Sequence, residues 1–175
     1  LNLEDMKKLL VLTSSLLFSV GLMCGCGSDD DDVRDNYVGN YEGTRSMSVT
    51  TINSTQDNDN PCTMRVKKNE SNKKSIVVMP STSNDILFYT ENMEVVKIDG
   101  QDAYCGTIKS EITEDPEDGT STTKEGENIS ENIPYSCAIL KTPEGKYILQ
   151  YSYKTVNTTT HNTQIITTDS FTGVK

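Results

Sequence analysis

Tryptophan is absent from this chain, and histidine occurs once, at His161, inside the polar stretch Asn157–Asn162. A general base needs an oriented partner, and none is legible there. One imidazole is also too few to complete a zinc site with Cys62, Cys105 and Cys137, which have no C-x-x-C spacing. No G-x-S-x-G occurs. Neither Asp57–Pro61 nor Asp115–Gly119 has the ligand spacing of a calcium loop. The expectation is therefore a protein that is not an enzyme, with no metal and no cofactor. Basic residues are also scarce: 16 Lys and Arg face 26 Asp and Glu, a net charge of −10. That balance excludes nucleic acid as a partner, because phosphates demand a basic face, and it argues against peripheral docking on anionic lipid. From position 26 onward no stretch keeps a 3.6-residue apolar period over three turns, which excludes a helical bundle.

The longest apolar run, Leu9–Leu22, is interrupted by Thr13, Ser14, Ser15, Ser19 and Gly21. It falls short of the roughly 20 apolar residues of a spanning helix. With Met6-Lys7-Lys8 before it, it has the anatomy of a secretory signal peptide. Leu1–Asp5 reads as sequence upstream of the true start. Leu22-Met23-Cys24-Gly25-Cys26 resembles a lipobox, in which a small residue precedes a cysteine that receives a diacylglyceryl thioether. Cys26 follows Gly25 and fits that role, whereas Cys24 follows the bulky Met23. The resemblance implies removal of residues 1–25, palmitate-type acylation at Cys26 and a membrane link through a covalent lipid anchor, which holds firmly when two or three chains are present. Asp29, Asp30, Asp31 and Asp32 form either a solvated acidic linker or, by resemblance, the surface-export tag of one Gram-negative lineage. The expected location is the bacterial outer membrane, surface-exposed.

Residues 26–36 read as the lipidated acidic tether and residues 37–175 as one domain. Strand signals dominate the domain. Tyr41, Gly43, Arg45, Met47 and Val49 alternate with polar residues, the period of a half-buried strand. Asn53–Pro61 reads as a polar turn, followed by a strand with Cys62, Met64 and Val66 on one face. Ile76–Met79, Ile86–Tyr89 and Met93–Ile98 are further short strands, with Asp99-Gly100 as a turn. Tyr104, Gly106, Ile108 and Ile112 share a face opposite Cys105. Tyr135–Leu140 turns through Pro143–Gly145 into the stripe Tyr147, Leu149, Tyr151 and Tyr153, and a last strand spans about Gln164–Val174. Between Glu111 and Glu131, eight acids face only Lys124, so this segment reads as a long hairpin loop that buries nothing. Short strands separated by polar turns predict an all-β sandwich or barrel.

Tyr37-Val38-Gly39-Asn40-Tyr41-Glu42-Gly43-Thr44 and Phe171-Thr172-Gly173-Val174-Lys175 resemble the two ends of calycin-like (lipocalin-like) lipoprotein domains. The resemblance implies a small antiparallel up-and-down barrel of about eight to nine strands, closed by its first and last strands. Such a barrel either holds one small ligand or is filled by side chains. The Tyr147, Leu149, Tyr151 and Tyr153 stripe is thus a candidate ligand cavity for a small apolar or glycan ligand, or else core. In the filled case the partner is another envelope protein. Export permits a disulfide. Cys105 and Cys137 flank the acidic segment at nearly equal distance from Ser121, so antiparallel pairing would set them opposite each other. Cys105 lies on the polar face of its strand, and Cys62 competes as the alternative.

Overall fold

The structure, a computed structural model, describes residues 32–175. Cys26, Asp29, Asp30 and Asp31 lie outside the described residues. A 3-10 turn, Val33–Asn36, precedes strands β1 (Gly39–Thr50), β2 (Thr55–Lys68), β3 (Ile76–Pro80), β4 (Phe88–Ile98) and β5 (Gln101–Ile108). The chain continues through β6 (Glu111–Glu114), β7 (Ser121–Gly126), β8 (Cys137–Lys141), β9 (Tyr147–Thr158) and β10 (Gln164–Val174). All form one antiparallel sheet of ten strands. The order β10-β1-β2-β3-β4-β5-β8-β9 closes on itself through the β9–β10 pairing, so eight strands make a hydrogen-bonded ring. The β6–β7 hairpin attaches to the upper half of β9, in line with β8. The expected all-β, barrel-like, up-and-down architecture is present, with first and last strands paired from Glu42↔Val174 to Thr50↔Ile166.

Alternation decides what enters the ring, because successive side chains point to opposite faces. Tyr41, Met64, Val66, Ile76, Val78, Phe88, Tyr104, Ile139, Leu149, Tyr151 and Phe171 are buried together. Aromatic rings organise this interior: Tyr37 stacks on Tyr104 at 4.7 Å, and Phe88 meets Tyr151 edge-on at 5.0 Å. Both geometries suit the ring quadrupoles. Where the two ends of the domain meet, the Lys175 ammonium donates to the carbonyls of Asn36 (2.9 Å) and Val38 (2.7 Å). The same ammonium lies over the rings of Tyr147 and Tyr41, a cation–π arrangement.

Four segments differ from the sequence-based expectation, each for a legible reason. Val33–Asn36 belongs to the folded unit, not to the tether, because Arg34 is buried and its guanidinium donates to the carbonyls of Asn69, Asn72 and Ser75. Thr55–Pro61 is strand and not turn; it pairs with β1 while remaining exposed on both faces, so no apolar period marks it. Ile86–Tyr89 and Met93–Ile98 belong to one strand beginning at Phe88, interrupted by a bulge between Glu91 and Glu94 where Asn92 adopts φ 52°. The acidic segment from Glu111 is no loop: β6 and β7 form a ladder from Glu111↔Lys124 to Glu114↔Ser121, and β7 pairs with β9 over six positions. Backbone hydrogen bonds hold it, and those leave no trace in side-chain hydropathy.

Candidate functional site

The ring has a short side and a long side. β3 pairs with β2 only from Met64 to Lys68, so the upper half of β2 continues beyond it. With β1, β10, β9, β7 and β6 it forms a six-stranded arm in the order β2-β1-β10-β9-β7-β6. At the base of the arm, inside the ring, lies a polar network. Arg45 of β1 donates through Nε to both carboxylate oxygens of Asp169 at 3.0 Å and through Nη2 to Oδ2. The hydroxyl of Tyr153 donates to Oδ2 at 2.7 Å, and that of Tyr151 to Oδ1 at 3.4 Å. Asp169 is 1 % exposed. A fork of donors on a buried carboxylate is the geometry that makes such burial tolerable. The hydrogen bond to Asp169 pushes the Arg45 pKa up further, and burial raises those of Tyr151 and Tyr153.

Leu149, Tyr151 and Tyr153 of the candidate ligand stripe are therefore core. Their exposures are 0, 1 and 4 %, the two hydroxyls are spent on Asp169, and the rings pack on Phe88 and Phe171. Tyr147 is half-buried beside Tyr37 and Lys175. Arg45 and Asp169 went unmarked as a pair in the sequence because 124 positions separate them. The available signal was phase: both charges fall on positions that alternation assigns to the interior.

The expected Cys105–Cys137 disulfide is corrected by one residue of register. Cys105 stands opposite Ala138 and Cys137 opposite Gly106, so the two thiols face opposite sides of the sheet, as one residue of slip always produces. Cys137 joins the ring interior. Cys105 lies in a small outer cluster with Ala103 and Ala138, covered by Ile129, Ile133 and Tyr135 of the 127–136 segment. Cys62, Cys105 and Cys137 are all free. Burial pushes the Cys105 thiol up to about 11 and raises that of Cys137 as well. Thiol titration at pH 8 should modify the half-buried Cys62 first, and reach Cys105 and Cys137 only on unfolding. Three titratable groups in denaturant without reductant are expected from the chain beyond position 32; only one would restore the disulfide.

On the outer face of the arm, register aligns Thr50, Ile166, Val156, Thr123 and Ile112 in one row across five strands. Ile112 is 71 % exposed, and Ile52, in the β1–β2 turn at the same end, is 86 % exposed. Val156 and Ile166 within the row are half-buried. His161 sits nearby in the β9–β10 turn, lining a surface groove with Ile52, Gln164 and Ile166. No group of His, Cys, Asp or Glu among the described residues is placed to hold a metal ion.

The chain matches no protein-family model, no curated protein and no solved structure.

Proposed function

We propose that this chain is a lipid-anchored cell-envelope protein, held at the outer membrane surface through Cys26, with Asp29–Asp32 as its export tag. It works without catalysis, as an interaction module that binds another envelope protein through the outer face of its arm. The observation that carries this reading is the pair of exposed aliphatic residues Ile52 and Ile112 at the end of the arm, beside the half-buried Val156 and Ile166, on a sheet whose inner face buries Leu149, Tyr151 and Tyr153. Exposed aliphatic side chains that border further apolar surface are the kind of patch that marks interaction sites. Filling by Leu149, Tyr151 and Tyr153 favours this over a barrel that holds a small apolar or glycan molecule.

Two measurements test it. Fatty-acid labelling should be lost in Cys26→Ser and kept in Cys24→Ser; labelling that survives Cys26→Ser sinks the anchor. Photo-crosslinking from the Ile112 row on intact cells should yield one discrete adduct with an envelope protein, abolished by Ile52→Asp with Ile112→Asp. A stoichiometric small molecule released from the purified protein would overturn the interaction reading in favour of a ligand barrel.

A further inference from the structure

Thr55–Pro61 is the part of β2 that continues beyond β3. Among the described residues, β3 pairs with β2 only from Met64 to Lys68, and the Ser81 amide adds one bond to the Thr63 carbonyl at 2.9 Å. Past that point β2 has β1 on one side and no described strand on the other. All of Thr55–Pro61 is exposed, so this is a free sheet edge about 23 Å long. Its backbone parity follows from the Ser81 bond. In an antiparallel strand the N–H and C=O of one residue point to the same side, and those of the next residue to the other. Thr63 turns its carbonyl away from β1, so Thr55, Asp57 and Asp59 turn both groups outward and Pro61 its carbonyl. Pro61 thus stands where its missing N–H removes no bond to β1, the place prolines take on edge strands. Outward donors and acceptors in a row are what an added strand requires.

Side chains decide which strand fits. Met64 and Val66 enter the ring interior, so Asp57 and Asp59, at the opposite parity, lie on the outer face. Neither makes an ion pair among the described residues. Across β1 they face Ser48 and Ser46, and behind these stand Thr168 and Ser170 of β10. The Thr51–Ser54 turn is uncharged, and the segment Ser81–Leu87 after β3 carries Asp85 and no base. Arg45 is turned to the inner face and held by Asp169. Arg65 donates to the Ser81 carbonyl, about 20 Å along the strand from Asp59. The edge is therefore acidic with no cation of its own beside it. A second copy pairing here would set acid against acid, which cross-strand pairing penalises. A strand with Lys or Arg at two alternate positions would meet both carboxylates.

We infer that the free edge of β2 accepts an extended segment of a partner protein as an added antiparallel strand, with basic side chains at alternate positions facing Asp57 and Asp59. This surface is separate from the outer face proposed above, since β2 and β6, which carries Ile112, are the two margins of the arm. Random peptides of about nine residues, displayed as a library and selected on the full chain in detergent, supply the test. The enriched peptides should carry Lys or Arg at alternate positions, and adding one should slow hydrogen exchange across Thr55–Asn60. Asp57→Pro removes only an outward N–H on the backbone, as Pro61 already does, so its melting transition should stay within about 3 °C of the parent. It should nevertheless weaken peptide binding about tenfold or more. Asp57→Asn with Asp59→Asn keeps every backbone group and should weaken binding about fivefold. Ile112→Asp should leave it unchanged. The proposal is overturned if no peptide is enriched, if the enriched peptides lack alternating bases, or if they bind Asp57→Pro as tightly as the parent. A dimer of the parent that Asp57→Pro dissolves also overturns it, because a second copy would then hold the edge. Binding lost in Ile112→Asp and kept in Asp57→Pro would place the peptides on the outer face, so failure here and failure of the outer-face reading are told apart.

Discussion

Arg45→Met is expected to destabilise the domain by about 3–5 kcal/mol, the cost of removing one partner of a buried ion pair. The loss comes less from the vanished attraction than from what is left behind. Asp169 is 1 % exposed, and without the guanidinium its carboxylate keeps only the hydroxyls of Tyr151 and Tyr153. Small domains have about 5–15 kcal/mol in hand, so the variant should still fold but melt far below the parent. One control isolates the charge. Asp169→Leu combined with Arg45→Met should recover more than half of the loss, since an apolar pair of similar volume often matches a buried ion pair. A double variant no more stable than Arg45→Met in urea would mean that lost packing, and not the stranded charge, accounts for the effect.

What the sequence shows depends on which faces are dry. β10 is legible to its ends, and the turns at Asp99-Gly100 and Pro143–Gly145 fall where Gly100 and Gly145 adopt φ of 81° and 82°. In those places a strand with one face in the ring meets a turn that needs a left-handed residue, and both leave marks on residue type. Asp57, Asn58, Asp59 and Asn60 leave none, because their strand has both faces in water and its pairing with β1 is written in backbone hydrogen bonds. β6 and β7 are hidden for the same reason. Acid-rich composition looks like a loop, yet on a strand edge charge also guards against unwanted pairing. The ligand stripe was legible as an inward face, but not as filled: that depends on Phe88 and Phe171, which arrive from distant strands. The disulfide failed on register alone, since nothing local separates Cys105↔Cys137 from Cys105↔Ala138.

Gly43→Ala should prevent the ring from closing as it does, with a loss of about 3 kcal/mol or more, at the upper end of overpacking costs. A β-carbon at Gly43 would overlap the backbone carbonyl of Thr172 and the Cα of Gly173. Backbone on the facing strand has no rotamer with which to retreat, so relief requires β1 and β10 to part. That pairing, with Gly43↔Gly173 one position from its Glu42↔Val174 end, is the contact joining the first strand to the last. The two glycines face each other because the strands approach more closely than side chains permit. Their separation in sequence means that the ring closes only by bringing the ends of the domain together, which is slow and entropically costly. The variant should accordingly lose stability mainly where β1 meets β10. Hydrogen exchange in β1 and β10 should accelerate more than in the β4–β5 hairpin, which pairs locally from Ile98↔Gln101. Thr44→Ala, next along the strand on the exposed outer face, serves as the control and should move the urea midpoint by the equivalent of about 0.5 kcal/mol or less. If Gly43→Ala also falls within that range, β1 and β10 tolerate separation and the glycine pair is not what closes the ring.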